Sequence, residues 1–195
     1  MSITCTSRKE LDAFMAKHLK KSRYEHSLGV EKMASLLAEI HGADVEKAAF
    51  AGRYHDIAKG FDNDEMNRYI KKYDIDSKYL DNVPLAHSKV GAAILEHKFG
   101  VVDEDILNAV KSHTTGRVGM SLLEEIVYVA DAIEENRNYP ELKQLQAEAK
   151  VDLDTVCLHI MDFAVQMILE KGRILDEETL EAREFIKERL KVQNG

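Results

Sequence analysis

The chain has 195 residues, of which 27 are Lys or Arg and 35 are Asp or Glu, giving a formal net charge of −8 at pH 7. A net negative charge of this size disfavours a protein that binds nucleic-acid polymers through their phosphate backbone, and no apolar run reaches the roughly 20 residues of a membrane-spanning helix. Because the N-terminus lacks the apolar stretch of a signal peptide, and Cys5 and Cys157 are far apart without CxxC spacing, we expect a cytoplasmic protein with reduced thiols and no membrane partner.

Two helices are predicted in the N-terminal part of the chain from capping signals and apolar periodicity. Ser7 and Glu10 match a capping box that opens the first helix. Ser22 and Glu25 match a second box, followed by a longer helix whose apolar stripe ends at Gly42.

The next three helices follow from similar signals. Asp44 is a suitable N-cap for the third helix, which we expect to end at Gly60. Residues 62–75 have the pattern of a shorter, peripheral amphipathic helix. Pro84 suits the first turn of a fifth helix, and Gly100 marks its end.

A sixth and a seventh helix are predicted on either side of a loop that contains two glycines. Asp103 caps the sixth helix, whose stripe ends at His113. Residues 114–119 include two threonines and two glycines and are typical of a loop. Ser121 and Glu124 match the capping box of the seventh helix.

The last third of the chain predicts three more helices. A polar one follows Pro140, and a charged one covers about 176–190. Between them lies an apolar helix that ends at Gly172, with a stripe formed by Leu153, Val156, Ile160, Phe163, Ala164 and Met167. Because no segment shows the alternation of a strand, and neither repeats nor a flexible linker are present, the fold class we predict is all-α, in a single domain.

Four histidines and two aspartates recur at positions where these helices face inward: His26, His55, Asp56, His87, His113 and Asp131. A buried carboxylate costs several kcal/mol unless a cation compensates it. Imidazoles and carboxylates without thiolates suit iron, manganese or another catalytic divalent ion better than structural zinc. Any one of these histidines alone is more typical of a hydrogen-bonded core residue, but six ligands together favour two ions that share a bridging aspartate.

The order of these residues resembles a known signature. His26, then His55-Asp56, then Asp131 resembles the H…HD…D pattern of the HD superfamily of metal phosphohydrolases, and His87 and His113 match its two-metal variant. Longer segments are similar to the YqeK family: RYEHSLGV (23–30), HDIAK (55–59), HTTGRVGMSLLE (113–124), ADAIEENR (130–137), EKGRI (170–174) and TLEAR (179–183). The sequence departs from the family pattern at Glu135, where proline is usual, and at Ser88-Lys89, where Gly-Pro is common.

The resemblance implies a reaction and a metal site. The reaction is symmetrical hydrolysis of diadenosine tetraphosphate to two ADP, through a water activated by one or two divalent ions, with iron at the site and Mn, Ni, Co, Zn or Mg as substitutes. The expected architecture is an HD-type helical bundle over 1–195, with a core at about 22–137 and peripheral C-terminal helices at 140–190 that complete the nucleotide site. His26, His55, Asp56 and Asp131 would hold one ion, and Asp56 would bridge to a second ion at His87 and His113.

The residues around this ligand set include hydroxyls, glycines and cations that suit phosphate groups. Lys59 is expected in the catalytic machinery as well as at the nucleotide. The other nucleotide-binding residues that we predict are His87, Thr114, Thr115, Gly116, Arg117, Arg137, Arg173 and Ile174. Taken alone, the loop at 114–119 is also typical of a surface turn, and each of the cations is also typical of a solvated surface charge.

Two other functions remain open on the sequence. The chain could hydrolyse another nucleotide, such as a mononucleotide or a cyclic dinucleotide, because a metal centre does not choose the phosphate ester by itself. It could also be a nucleotide-binding sensor without turnover, although the complete ligand set disfavours this. The native metal, the number of ions, the base preference and assembly as a homodimer are left open by the sequence.

Overall fold

The computed structural model describes residues 7–173 and 175–193. In this part of the chain the secondary structure consists of helices without any strand, which confirms the all-α prediction. One short 3-10 helix (Ser77–Tyr79) lies among ten α-helices: α1 (Arg8–His18), α2 (Lys21–His41), α3 (Val45–Tyr54), α4 (Asn63–Lys72), α5 (Val83–Phe99), α6 (Glu104–Ser112), α7 (Leu122–Ile133), α8 (Leu142–Glu148), α9 (Leu153–Glu170) and α10 (Glu177–Gln193).

Several helix ends follow the local signals in the sequence. The Asp44 carboxylate accepts the third backbone N–H of α3, and Asp103 caps α6 in the same manner. Ser121 and Glu124 form the complete capping box of α7. Gly100 closes α5 in the left-handed conformation, with φ +68°, which costs glycine little.

Two helix boundaries differ from those predicted. α2 begins at Lys21, after an extended Lys20, so that Ser22 lies inside the helix and does not cap it. α3 ends at Tyr54, and residues 55–60 form consecutive turns rather than further helix. Gly60 is required in these turns, because a Cβ there would lie 1.9 Å from the backbone oxygen of His18.

The helices pack around one apolar core. α2 runs along α3 and also contacts α7, while α6 lies between α5 and α7. Large side chains without exposed surface fill the space between them, among them Leu37, Phe50, Tyr54, Ile57 and Ile126. Helix α3 packs against α2, α6 and α7. The turn at residues 55–60 therefore begins beside three of the helices that position the other candidate ligands.

The C-terminal helices pack against one side of this core. α9 contacts both α7 and α10, and Arg189 of α10 ion-pairs with Glu125 at 2.7 Å and with Asp154 at 2.9 Å. Only part of the apolar stripe predicted in α9 is covered, since Phe163 is 61% exposed. No helix in the described ranges has both the length and the apolar character needed to cross a bilayer.

Candidate functional site

The six candidate ligands predicted from the sequence meet at one place in the bundle. They come from α2, the turn after α3, α5, the end of α6, and α7, and five of them are buried. Asp131 retains a 25% exposed side chain, which places the open side of the cluster next to it. The residues that converge here are His26, His55, Asp56, His87, His113 and Asp131.

Asp56 lies at the centre of the cluster, and its two carboxylate oxygens face different histidines. Oδ2 lies 3.4 Å from Nε2 of His55 and 4.0 Å from Nε2 of His26. Oδ1 lies 3.2 Å from Nε2 of His87 and 3.5 Å from Nε2 of His113. This carboxylate therefore divides the cluster into two halves and belongs to both.

Asp131 completes the first half. Its Oδ1 lies 2.9 Å from Nε2 of His26 and 3.6 Å from Nε2 of His55. Ligand atoms of His26, His55 and Asp131 all lie within 4.8 Å of one another, as do those of His55, Asp56 and His113. Groups of this kind have the size and the mixed N/O chemistry of a site for a divalent ion.

The local backbone orients the imidazoles so that Nε2 points into the cluster. His55 and His113 each follow the last residue of a helix, and Nδ1 of each ring lies 2.7 Å from a carbonyl oxygen three residues earlier, at Gly52 and Val110. A carbonyl accepts a hydrogen bond only from a protonated nitrogen, so the proton of the neutral ring lies on Nδ1. Nε2 is then the lone-pair nitrogen, as a metal ligand requires.

His26 is oriented by a carboxylate instead. Its Nδ1 lies 3.1 Å from Oε1 of Glu134, a residue that is almost fully buried. The other oxygen of Glu134 accepts hydrogen bonds from the backbone N–H and the side-chain amide of Asn136, at 2.7 Å and 2.9 Å. Gly29 makes room for this carboxylate, because a Cβ at that position would lie 2.2 Å from Oε2 of Glu134.

The charges and hydrogen bonds of the cluster fit a bound cation. Nε2 of His26 and Nε2 of His55 are buried next to carboxylate oxygens, at 2.9 Å from Asp131 and 3.4 Å from Asp56, but without good hydrogen-bond geometry in the described part of the chain. Burial lowers the pKa of His55, but the Asp56 and Asp131 carboxylates outweigh this and raise it to about 10. Burial raises the pKa of both aspartates, but their contacts with the histidines lower it well below its ordinary value. Both carboxylates are thus ionised. A bound divalent cation would compensate their negative charge.

Two arginines contact the carboxylates from the rim. A terminal nitrogen of Arg23 donates to Oδ2 of Asp56 at 2.9 Å. Arg137 donates to Oδ1 of Asp131 at 2.7 Å and to its backbone oxygen at 2.8 Å. Both guanidinium side chains are about one-third exposed, so they reach solvent as well as the cluster.

Sequence reasoning assigned no role to Arg23 or to Glu134. A signal for Arg23 was present, because it precedes His26 by three residues and so lies on the same face of α2. Glu134 directly follows the last residue of α7, and its contact with α2 depends on how the two helices pack. No local pattern predicts that contact.

Lys59 and Thr114 lie beside the second half of the cluster. Nζ of Lys59 is 3.0 Å from Nε2 of His87, and the hydroxyl of Thr114 is 3.2 Å from the same nitrogen. Burial lowers the pKa of Lys59, and burial and the neighbouring Lys59 lower the pKa of His87 to about 4. His87 is therefore neutral and able to act as a ligand.

The rest of the 114–116 loop faces away from the ligands. The buried hydroxyl of Thr115 lies 3.0 Å from Oε2 of Glu178 in α10 and 2.9 Å from the backbone oxygen of Gly116. The Gly116 N–H donates to the backbone oxygen of Ser112 at 2.7 Å. Thr114 is thus the residue of this loop whose hydroxyl contacts the cluster, and the phosphate roles of Thr115 and Gly116 stay predictions.

The remaining predicted nucleotide ligands lie further along the chain. Arg117 donates from two nitrogens to the carboxylate of Glu124, both at 2.6 Å, and from the third to the backbone oxygen of Val118. The side chain of Arg173 is exposed after α9 and makes no polar contact within the described ranges. Ile174 lies outside the described residues. The phosphate roles of both arginines stay predictions, and Arg117 would have to exchange a protein partner for substrate.

Known proteins resemble this chain in both sequence and structure. The family model for the HD domain matches residues 23–136. The chain is 38% identical to the symmetrical bis(5'-nucleosyl)-tetraphosphatase of Bacillus subtilis over 86% of this chain and 90% of the relative. It is 37% identical to the protein of the same name from Halalkalibacterium halodurans, over 84% and 88% of the two chains. A crystal structure from Clostridium acetobutylicum, described as a predicted HD superfamily hydrolase involved in NAD metabolism, matches with a TM-score of 0.89 and 35% identity, covering 95% of this chain and 100% of that one.

Proposed function

Because this chain belongs to the HD-domain family, and within it to the YqeK-type symmetrical bis(5'-nucleosyl)-tetraphosphatases, we propose that it hydrolyses diadenosine tetraphosphate at the central anhydride to give two ADP. The observation that carries this proposal is the position of Asp56, whose two oxygens face two separate sets of histidines. Such an arrangement suits a pair of divalent ions that share one carboxylate. The chain is similar to the tetraphosphatases of Bacillus subtilis and Halalkalibacterium halodurans over most of its own length and of theirs. This similarity supports the choice of substrate.

We propose iron as the native metal, in one or two ions, on the basis of the family resemblance. His26, His55, Asp56 and Asp131 would hold the first ion, with Asp56 shared with His87 and His113 for the second. The chemistry that divalent ions would supply there is a lower pKa for a water molecule and polarisation of the phosphoryl group. The hydrogen bonds at Nδ1 of His55 and His113 point Nε2 of both rings into the cluster, as this role requires.

Side chains around the ligands would stabilise the charge that develops on the substrate. Lys59 and Arg137 stand next to the two halves of the cluster and are proposed to bind non-bridging phosphate oxygens. Arg23 occupies the same kind of position beside Asp56. Preorganised cations at a partly buried site are among the largest contributions to phosphoryl-transfer catalysis. No side chain is assigned as a general base.

The position of cleavage would be set by binding rather than by the metal. We propose that Thr114, Thr115, Arg137 and Arg173 hold one ADP-sized half of the substrate, with Gly116, Arg117 and Ile174 next to it. The helices at 140–190 would then complete a nucleotide site whose metal-binding part lies within about 22–137. With the β-phosphate of the held half next to the candidate metal ligands, attack by water on that phosphorus would break the central anhydride, so that the held half and the leaving half would both become ADP.

Product analysis tests the proposed function. Anaerobically purified protein is incubated with diadenosine tetraphosphate, the early products are separated by chromatography, and metal is measured in the same sample. ADP as the sole nucleotide product is expected, whereas equimolar ATP and AMP would rule out symmetrical cleavage. Turnover of a mononucleotide or cyclic dinucleotide in preference to the tetraphosphate would favour another hydrolase. Tight ADP binding without any metal-stimulated turnover would favour a sensor. Light scattering on the same sample determines whether the protein assembles as a homodimer.

A further inference from the structure

Glu178, near the start of α10, connects three separate parts of the molecule. Its Oε2 contacts Nζ of Lys89 in α5 and accepts a hydrogen bond from the hydroxyl of Thr115 at 3.0 Å. Its Oε1 accepts a hydrogen bond from the hydroxyl of Tyr79 at 3.1 Å. Lys89 is only 7% exposed and Thr115 is fully buried, whereas the side chain of Glu178 is 33% exposed, so this polar network extends from the protein interior to its surface.

The backbone of the same loop is enclosed by the C-terminal helices. Gly116 has φ +68°, and a Cβ there would lie 2.7 Å from Cε of Met161 in α9 and 3.0 Å from Cβ of Ala182 in α10. The side of the loop that faces away from the ligand cluster is thus closely packed. On the other side, the hydroxyl of Thr114 lies 3.2 Å from Nε2 of His87.

The negative charge of Glu178 compensates a buried positive charge. Burial raises its pKa, but the contact with Lys89 and the hydrogen bonds from Thr115 and Tyr79 outweigh burial and lower it to about 2. Glu178 is therefore ionised at neutral pH and compensates the buried ammonium group of Lys89. Removing the carboxylate would leave that cation without its partner, and the Thr115 hydroxyl would lose its contact with α10 and keep only the backbone oxygen of Gly116 as an acceptor.

From these contacts we propose that Glu178 is a positioning residue for hydrolysis of the tetraphosphate. It fixes Thr115 and thereby keeps the preceding residue, Thr114, directed at the substrate phosphates beside His87. The inference rests on the proposed function, because it takes this loop to be a phosphate-binding element. Glu178 itself would touch neither metal nor substrate. Its effect would therefore be seen in substrate binding and turnover and not in metal content.

The test compares three variants with the wild-type enzyme. Glu178→Ala should raise KM for the tetraphosphate and the dissociation constant for ADP, and lower kcat/KM by about tenfold or more, because small displacements of a binding group are costly. Its metal content should equal that of the wild type. Glu178→Gln retains an acceptor for Thr115 and should recover part of the loss. Glu177→Gln removes the same charge from an exposed position one residue earlier and should leave the kinetics unchanged.

If Glu178→Ala does not fold, the double variant Lys89→Met/Glu178→Leu removes the acceptor without leaving a buried cation unpaired, and the same kinetic change is expected. Wild-type kinetics and ADP affinity in a folded variant lacking the acceptor would overturn the positioning role while leaving the proposed function intact. A variant of Glu178 that loses only thermal stability or only metal, with unchanged kinetics and ADP affinity, would also overturn the positioning role. A wild-type enzyme that does not cleave the tetraphosphate would instead overturn the proposed function and this inference together.

Discussion

Nδ1 of His26 lies 3.1 Å from Oε1 of Glu134, although the two residues are 108 positions apart in the chain. The contact is buried, and it directs Nε2 of His26 toward the Asp131 carboxylate, 2.9 Å away. A buried carboxylate that holds an imidazole in this manner fixes both its tautomer and its orientation. The candidate metal site therefore depends on a residue that is not itself a candidate ligand.

Gly29→Ala should weaken metal binding through Glu134. The new methyl group would meet the Glu134 carboxylate, which Asn136 and His26 hold in place and which must therefore move. Losing such a partner of a metal-binding histidine typically costs about 10- to 100-fold in affinity. Calorimetric titration of the metal-free protein with Mn²⁺ measures the change.

Alanine favours a helix interior over glycine by about 1 kcal/mol, so helix propensity alone would stabilise this variant. Glu39→Ala, at an exposed position of the same helix, is the matched control and should bind Mn²⁺ normally. Normal affinity in Gly29→Ala as well would show that Glu134 does not orient His26 for metal.

Asp56→Ala should remove metal and activity together. Its two oxygens face both halves of the cluster, so no other single substitution affects both sets of histidines so directly. Because a ligand that binds the native state raises the melting temperature, Mn²⁺ should raise Tm in the wild type and have little effect on the variant. Full metal occupancy with normal turnover in folded Asp56→Ala would refute the shared role.

Arg137→Ala should retain metal and lose catalytic efficiency. The guanidinium contacts Asp131 but is not a ligand type, and its exposed portion is available to a phosphate. We expect kcat/KM to fall by about 10²-fold, as for other single donors to a transition state. Lys143→Ala, which removes an exposed cation from nearby α8, serves as the control. Kinetics of Arg137→Ala equal to those of this control would place Arg137 outside the substrate site.

The stabilisation contributed by Glu178 should disappear in acid. Its pKa is lowered on folding from 4.5 to about 2, and a carboxylate with a lowered pKa stabilises the fold above its ordinary pKa and loses that effect as pH falls to the folded value. The Tm difference between wild type and Glu178→Gln should thus be constant above about pH 5 and shrink between about pH 4.5 and 2. A difference that does not change with pH would contradict this. The polar groups that face the carboxylate are Lys89, Thr115, Tyr79 and Lys78, and Asp176 accepts a hydrogen bond from the backbone N–H of Glu178.

Helix ends were predictable where the cap is formed by the neighbouring chain alone. Asp44, Asp103 and the Ser121 box act through N–H groups two or three residues away, so their geometry follows from local sequence. Ser22 carries the same kind of signal, yet α2 already begins at Lys21. A capping residue shows that a helix start is near, and the packing of the helix decides at which residue it begins.

The candidate ligands were predictable because buried histidines and aspartates on apolar stripes are rare without a partner. The residues around them were not predictable in the same way. Arg117 binds the Glu124 carboxylate through two of its guanidinium nitrogens, and the Thr115 hydroxyl contacts Glu178 far along the chain. Which acceptor a flexible cation or a hydroxyl reaches depends on helices that meet only in the folded state, and no spacing in the sequence encodes that choice.

The contacts of α10 with the 114–116 loop also bear on the order in which the parts of the site form during synthesis. The candidate ligands all precede α8, whereas Glu178 and Ala182, which hold the loop, belong to the last helix. Chains emerge from the ribosome N-terminus first, and their elements fold in roughly that order. A nascent chain could therefore bring its candidate ligands together while α10 is still being translated, and the 114–116 loop would gain its contacts with Glu178 and Ala182 only when α10 docks. A chain that ends before α10 would contain all the candidate ligands but would lack the contacts of α10 with Thr115 and Gly116.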